Sequence, residues 1–231
     1  MKNQKSKSWW RTIKKIFIWL FVAQLIYIVI LRWINPPITV TQLVSFVRGN
    51  GLKRDYVSYN EMSANAKLAV MAGEDQQFPD HNGFDIKAIK LAVKYNKKHP
   101  NKVHGASTIS QQVAKNVFLW QGGGFFRKGL EVYFTFMIET LWSKERILQM
   151  YLNVAEMGDG VFGIEAAAQN YFNKPASKLT RSEAAQIAAA LPNPIRFTVK
   201  PICKYVASRS QNIVGQMNNL EGDMDVKDLI K

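Results

Sequence analysis

The chain of 231 residues is long enough for one domain of ordinary size or two small ones, and its 47% hydrophobic content excludes a disordered chain. Its 31 Lys and Arg residues outnumber 17 Asp and Glu residues, giving a net charge of +14. That excess points to an anionic partner: phosphate, nucleic acid or an anionic membrane surface. The single cysteine, Cys203, excludes an intramolecular disulfide and most cysteine-based metal sites.

The N-terminal part contains an uncharged apolar run of sixteen residues, from Ile16 to Leu31. As a helix it would span roughly 24 Å, and Trp33 and Ile34 extend it toward the ~30 Å of a bilayer core. Six basic residues precede it and no small-residue cleavage site follows, so a retained membrane anchor is favoured over a signal peptide or a buried helix. The bases place the N-terminus in the cytoplasm.

This interpretation divides the chain into four parts. Residues 1–15 form a basic cytoplasmic tail, residues 16–34 a transmembrane anchor, residues 35–60 a linker and membrane-proximal segment, and residues 61–231 the main domain. The main domain would then lie on the outer side of the cytoplasmic membrane.

Apolar residues recur at helical spacing through the main domain, whereas strand-like alternation is scarce apart from short stretches near 56–59. The sequence therefore predicts one mainly α domain with two lobes. The predicted helix boundaries are an end near Glu74, caps at Asp85, Ser107 and Ser143, a capping box of Thr180 with Glu183, and a last helix around Met217.

Several familiar motifs are weak or missing. Gly158–Gly163 matches the dinucleotide pattern G-x-G-x-x-G, but the preceding residues have helical spacing, so a glycine turn between two helices is the better interpretation. The histidines His81, His99 and His104 lack metal-ligand spacing with cysteine. Neither Ser-x-x-Lys nor Lys-Thr-Gly occurs, so a penicillin-binding acyl-serine site is not expected.

Three polar segments stand out. Gly73–Asp85 places four carboxylates in a turn-rich connection, although alone it is better explained as a solvated acidic turn. Gly105–Asn116 places hydroxyl, amide and lysine groups on one helix, suited to sugar and phosphate or to a plain polar face. In Arg127–Glu131 two bases can cluster with an acid, either around an anionic leaving group or as a surface ion pair.

Together these segments resemble the peptidoglycan glycosyltransferases of glycosyltransferase family 51, the transglycosylase module of class A penicillin-binding proteins. Four motifs are kept in order across roughly residues 60–218. They are E-D-x-x-F-x-x-H-x-G at 74–83, G-[GA]-S-T-I-[ST]-Q-Q at 105–112, R-K-x-x-E at 127–131 and K-x-x-I-L-x-x-Y-L-N at 144–153. Since no Ser-x-x-Lys domain follows, the chain resembles the stand-alone, monofunctional form without transpeptidase activity.

The resemblance implies a lysozyme-like helical lobe facing a smaller membrane-proximal lobe, with residues 61–231 as the glycosyltransferase domain. It implies Glu74 as general base on the 4-hydroxyl of lipid II, and Glu131 as the residue that orients the leaving pyrophosphate, directly or through Mg²⁺ or Mn²⁺. No organic cofactor is expected. The positions assigned to substrate binding are Asp75, Phe78, His81, Gly83, Ser107, Thr108, Gln111, Gln112, Lys115, Asn116, Arg127, Lys128, Asn153 and Arg209.

The implied partners are lipid II, the nascent glycan strand, the inner membrane through a single span, and wall-synthesis or division proteins, but not nucleic acid. The domain would face the periplasmic or outer side. The sequence departs from the family pattern at Trp120–Phe126, which carries no charge where a basic residue is often found. Two other functions remain open: a lytic enzyme of lysozyme-like fold that cleaves glycan strands, and a non-catalytic scaffold.

Overall fold

The computed structural model describes residues 2–100 and 104–231. They divide into two compact units, the first ending at Pro36 and the second spanning Pro37–Lys231.

The first unit is a single long helix, α1, Lys2–Ile30. Within it, Trp9–Ile30 is long and apolar enough to cross a membrane by length and composition, with a mean hydropathy of 2.0. Large side chains such as Phe17 and Trp19 are more than half exposed. Because water is a poor solvent for such a surface, the helix is consistent with membrane anchoring. The helix also includes the basic residues before position 16, since lysine and arginine are good helix formers.

The second unit is mainly helical, as predicted. Its described part contains ten α-helices and two 3₁₀ turns, the turns at Tyr59–Glu61 and Ala176–Lys178. The helices are α2 Val40–Val47, α3 Ala64–Glu74, α4 Ile86–Lys98, α5 Ile109–Phe118, α6 Phe125–Leu141, α7 Lys144–Val154, α8 Ile164–Phe172, α9 Arg181–Ala190, α10 Lys204–Leu220 and α11 Met224–Ile230.

Most of the predicted helix boundaries are confirmed. The helix end near Glu74, the caps at Asp85 and Ser143, and the Thr180–Glu183 capping box are all present. The cap at Ser107 is wrong: Thr108 caps α5, because Gln111 three residues later completes a reciprocal capping box. The prediction that the helix around Met217 is the last is also wrong, since α11 follows it and packs on α3.

A small sheet takes the place of the predicted glycine turn. Strands β1 (Lys53–Arg54), β2 (Glu156–Gly158) and β3 (Val161–Phe162) lie in the order β1-β3-β2, with β1 parallel and β2 antiparallel to β3. At the hairpin, Gly160 has φ +65°, and a Cβ there would lie 2.1 Å from the backbone oxygen of Asn50. Only glycine fits such a close approach of two backbones.

The helices of the second unit pack in two groups. Helix α3 packs on α9, α10 and α11, whereas α5 packs on α6 and α7. Alanines line the buried side of α9, so α3 and α10 can approach it closely. Both groups present polar side chains where the C-terminal end of α3 meets α5, and that junction holds the candidate site.

Candidate active site

A cleft of about 830 Å³ opens between the end of α3, the start of α5 and α10. The predicted site residues that line it are Glu74, Asp75, Ser107, Thr108, Gln112 and Arg209. Residues 73–77 and 104–108, far apart in the sequence, thus meet on its two sides. Ser107, at its rim, is exposed.

Glu74 ends α3 as a nearly buried carboxylate, with 12% of its side chain exposed. Its Oε2 accepts a hydrogen bond of 2.8 Å from Nε2 of Gln112. Burial raises the pKa of Glu74, and the hydrogen bond from Gln112 and the charges of Arg209 and Lys115 oppose that rise. Glu74 is therefore a more basic carboxylate than one in water, with partners that favour its ionised form.

Arg209 reaches Glu74 from α10. Its Nη2 donates to the backbone oxygen of Gly73 at 3.0 Å and lies 3.7 Å from Oε1 of Glu74. The first contact fixes the guanidinium at the end of α3, while the second is longer than a direct hydrogen bond. Arg209 thus supplies positive charge beside Glu74 without forming a direct hydrogen bond to its carboxylate.

Glu131 forms a second, different acid site on α6. Its carboxylate is 4% exposed and accepts from Nη1 of Arg127 at 2.7 Å and from Nζ of Lys128. The i,i+4 and i,i+3 spacing places both cations on its face of the helix. Gly123, with φ +101°, packs against the Arg127 side chain, where a Cβ would lie 3.2 Å from it.

Lys115 connects the two acid sites electrostatically. It lies on α5, one helical turn beyond the residues that face Glu74. Burial lowers the pKa of Lys115, as do Arg127 and Lys128, whereas Glu131 and Glu74 raise it. The charge of Lys115 is therefore coupled electrostatically to both carboxylates.

Comparison with known proteins identifies the family. The sequence profile of the family described as Transglycosylase matches residues 41–218. The chain belongs to the transglycosylase family. Relatives named biosynthetic peptidoglycan transglycosylase, from Shigella boydii serotype 4 (strain Sb227) and Escherichia coli (strain K12 / DH10B), are each 59% identical over 169 residues. These cover 73% of this chain and 70% of each relative. The family resemblance predicted from the motifs is confirmed, and the chain is an enzyme.

The loop after Glu74 is held by side chains of the first transglycosylase motif rather than left open. Asp75 is buried and accepts from the backbone N–H of Ile109 at 2.9 Å and from Nε2 of His81 at 3.0 Å. The backbone N–H of Gly83 donates to Nδ1 of the same histidine at 3.1 Å. Because Nδ1 must accept, the imidazole is neutral with its proton on Nε2, directed at Asp75.

Thr108, Gly83 and Phe78 hold the same loop through further contacts. Thr108 donates to the backbone oxygen of Gly83 at 2.7 Å. Gly83 has φ +87°, and a Cβ there would lie 2.7 Å from Cγ2 of Thr135. Phe78 is fully buried, with Nζ of Lys144 4.6 Å from its ring centroid. These contacts hold the loop that follows Glu74 and thereby fix the position of Glu74.

The sequence missed an ion pair that supports this loop. Lys144 donates to Glu139 at 2.9 Å and to the backbone oxygen of His81, and Ser110 donates to the same carboxylate. Lys144 begins the fourth motif, but spacing gives no sign that it meets a loop sixty residues earlier.

Three assigned substrate-binding residues hold the scaffold instead of lining the cleft. Asn153 is fully buried, and both ends of its amide bond to the backbone of Val57, at 3.1 and 3.0 Å. Asn116 accepts from Gln121, which also donates to Thr41 on α2. Gln111 closes the capping box of α5.

The donor set argues against a metal held by the protein alone. No three His, Cys, Asp or Glu side chains cluster within residues 2–100 and 104–231. Both oxygens of Glu131 already accept from cations. A divalent ion would therefore need most of its ligands from outside this part of the chain.

Proposed function

We propose that this enzyme polymerises peptidoglycan glycan strands. It would transfer the lipid-pyrophosphate-linked glycan donor to the 4-hydroxyl of lipid II, form a β-1,4 bond and release polyprenyl pyrophosphate. The observation that carries the proposal is the pairing of a poorly solvated carboxylate at Glu74 with the two cations, Arg127 and Lys128, that contact Glu131. The names of its relatives agree with it.

Glu74 acts as the general base. It takes the proton of the 4-hydroxyl as that oxygen attacks the anomeric carbon of the donor. Its raised pKa makes it a stronger base than a solvated carboxylate, while Gln112 and Arg209 keep it ionised. One displacement of an α-linked leaving group gives the β product, so one base on the attacking side suffices.

The leaving side is cationic. As the bond from the anomeric carbon to the phosphate oxygen breaks, the electron pair leaves with the pyrophosphate. Lys115, Arg127 and Lys128 stabilise that charge. The side chains of Lys128 and Arg209 are 45% and 32% exposed, so both keep donors that an anion can reach. Glu131 then acts chiefly by orienting the cations beside it.

Mg²⁺ or Mn²⁺ would reach this side bound to the substrate pyrophosphate, next to Glu131. The charge it supplies would add to that of the three cations. Chelation by EDTA therefore tests whether the protein's own cations are enough.

The proposed location follows from α1. A single span, with the basic N-terminus in the cytoplasm, would place the transglycosylase unit on the periplasmic or outer side of the inner membrane. Donor and glycan acceptor are both lipid-linked, so an anchored enzyme meets them at the bilayer surface. Wall-synthesis or division proteins are the partners expected there.

The deciding experiment incubates purified full-length protein with labelled lipid II in detergent, with Mg²⁺, Mn²⁺ or EDTA, beside Glu74→Gln. We expect a ladder of products from the wild type that lysozyme digests, and none from the variant. Soluble fragments from purified walls without lipid II would instead support a lytic enzyme. A folded protein that binds lipid II without extending it would support a scaffold, and either result would overturn the proposal.

A further inference from the structure

A buried tyrosine lies behind the proposed base. Tyr151, on α7, is fully buried, and its hydroxyl lies 3.2 Å from Oε1 of Gln112. The other end of that amide, Nε2, lies 2.8 Å from Oε2 of Glu74. The three side chains form a chain of two hydrogen bonds that runs from the interior to the cleft.

The direction of both bonds follows from the charge of Glu74. An ionised carboxylate has no proton to donate, so only the NH₂ end of Gln112 can face it. The carbonyl end must then face Tyr151, which donates. Burial keeps the Tyr151 proton in place, because it raises the pKa of the phenol well above its usual value.

We propose that Tyr151 is a positioning residue that fixes the orientation of the Gln112 amide and thereby keeps Glu74 ionised for catalysis. This inference rests on the proposed role of Glu74 as base. Without the hydroxyl, the carbonyl of Gln112 loses the donor that the structure gives it. Rotation of the amide would then present that carbonyl to Glu74, where it favours the protonated acid.

The other groups that act on Glu74 do not depend on Tyr151. Removal of the Tyr151 hydroxyl leaves those groups in place. A change in the titration of Glu74 can therefore be assigned to the hydrogen bonds that join Tyr151, Gln112 and Glu74. In the described part of the chain, the titratable groups that face Glu74 or line its cleft, besides Tyr151, are Asp75, Lys115, Arg209, Asp85, His104 and Tyr205.

The test is the pH dependence of polymerisation by full-length Tyr151→Phe. We expect the acid limb of the rate profile to move upward by about one pH unit, the size of one lost hydrogen bond to a charged group. The rate on the plateau and the KM for lipid II should stay near wild type. The matched control is Tyr171→Phe, which removes a hydroxyl that donates to the backbone oxygen of Met157, and it should leave the acid limb unchanged.

A second variant decides whether Tyr151 acts through Gln112. Gln112→Leu should also raise the acid limb, and the double variant with Tyr151→Phe should match Gln112→Leu alone. An unshifted limb in Tyr151→Phe, or additive shifts in the double variant, would overturn the proposal. If Tyr151→Phe does not fold, Tyr151→Met removes the same hydroxyl with a smaller, flexible side chain.

A readout without turnover separates this inference from the proposed function. In protein labelled with ¹³C at the Glu carboxyls, the Glu74 resonance is identified by its loss in Glu74→Gln. Its titration midpoint should rise in Tyr151→Phe even if the wild type forms no polymer. If the Glu74 midpoint rises in Tyr151→Phe but the wild type forms no polymer, only the proposed function is contradicted. If the wild type forms polymer but the Glu74 midpoint does not move in Tyr151→Phe, only the positioning role of Tyr151 is contradicted.

Discussion

Glu74 and Glu131 are the same residue type in two opposite environments. Both are nearly buried on helices, but Glu131 is in direct contact with Arg127 and Lys128, whereas Glu74 is hydrogen-bonded to the neutral amide of Gln112 and has its nearest guanidinium 3.7 Å away. Burial raises the pKa of Glu74, whose carboxylate has no cation in direct contact, whereas two cations balance the charge of Glu131. The surroundings of the two carboxylates thus suit Glu74 to act as a base and Glu131 to orient the cations beside it.

The largest expected difference is in catalysis. Glu74→Gln should lower polymerisation by about 10³- to 10⁴-fold, because an amide cannot take the proton of the 4-hydroxyl. Rates from labelled lipid II, together with circular dichroism to show that the fold is kept, check this. A variant within tenfold of wild type would mean that the base lies elsewhere.

The two acids should differ next in stability. Glu131→Gln should lower the free energy of unfolding by roughly 2–3 kcal/mol, because it leaves the largely buried Arg127 without its carboxylate. Glu74→Gln removes a charge that burial disfavours, so it should leave stability unchanged or raise it. Urea unfolding in detergent, followed by tryptophan fluorescence, measures both. Equal losses in the two variants would erase the distinction.

The stability effect at Glu74 should depend on pH. Its folded pKa lies above the unfolded value near 4.5, so the ionised form costs stability above the folded pKa. That cost disappears below the unfolded pKa. Glu74→Gln should therefore be more stable than wild type at about pH 8, with the gap closing as the pH falls to about 4. Thermal midpoints across this range check the sign, and a gap that widens on acidification would contradict it.

The smallest difference is expected between the two cations beside Glu131. Lys128 is 45% exposed and Arg127 only 14%. Lys128→Ala should change the free energy of unfolding by less than about 1 kcal/mol, since water replaces its ammonium. Arg127→Ala should cost more, because it also leaves the carboxylate buried. The same urea titration compares them, and a larger loss in Lys128→Ala would reverse this order.

The sequence predicted the features that depend on residues close together along the chain. Helical spacing and capping residues gave most of the helix boundaries, and i,i+3 and i,i+4 spacing gave the cluster around Glu131. The position of Glu74 at the end of a helix also followed from the pattern, since Pro79 and Gly83 end the helical spacing there.

What the sequence did not predict depends on contacts between distant segments. The strands of the small sheet are two or three residues long, too short to show a period. The bond from Tyr151 to Gln112 joins residues 39 positions apart. Asn153 resembles a ligand-binding amide until the backbone of Val57 is seen to satisfy it. Tertiary packing, not residue type, decides whether such a side chain faces substrate or scaffold.

The imidazole of His81 takes part in a hydrogen bond at each of its two nitrogens, and this has a consequence for chemical labelling. Both of its nitrogens are engaged, one with Asp75 and one with the Gly83 backbone, and only about 10% of the side chain is exposed. The imidazoles of His99 and His104 stack on Tyr95 in exposed positions. Acylating reagents that attack a free imidazole nitrogen should therefore modify His99 and His104 first, so an early rise in the absorbance of acylated histidine need not signal any change in the loop after Glu74.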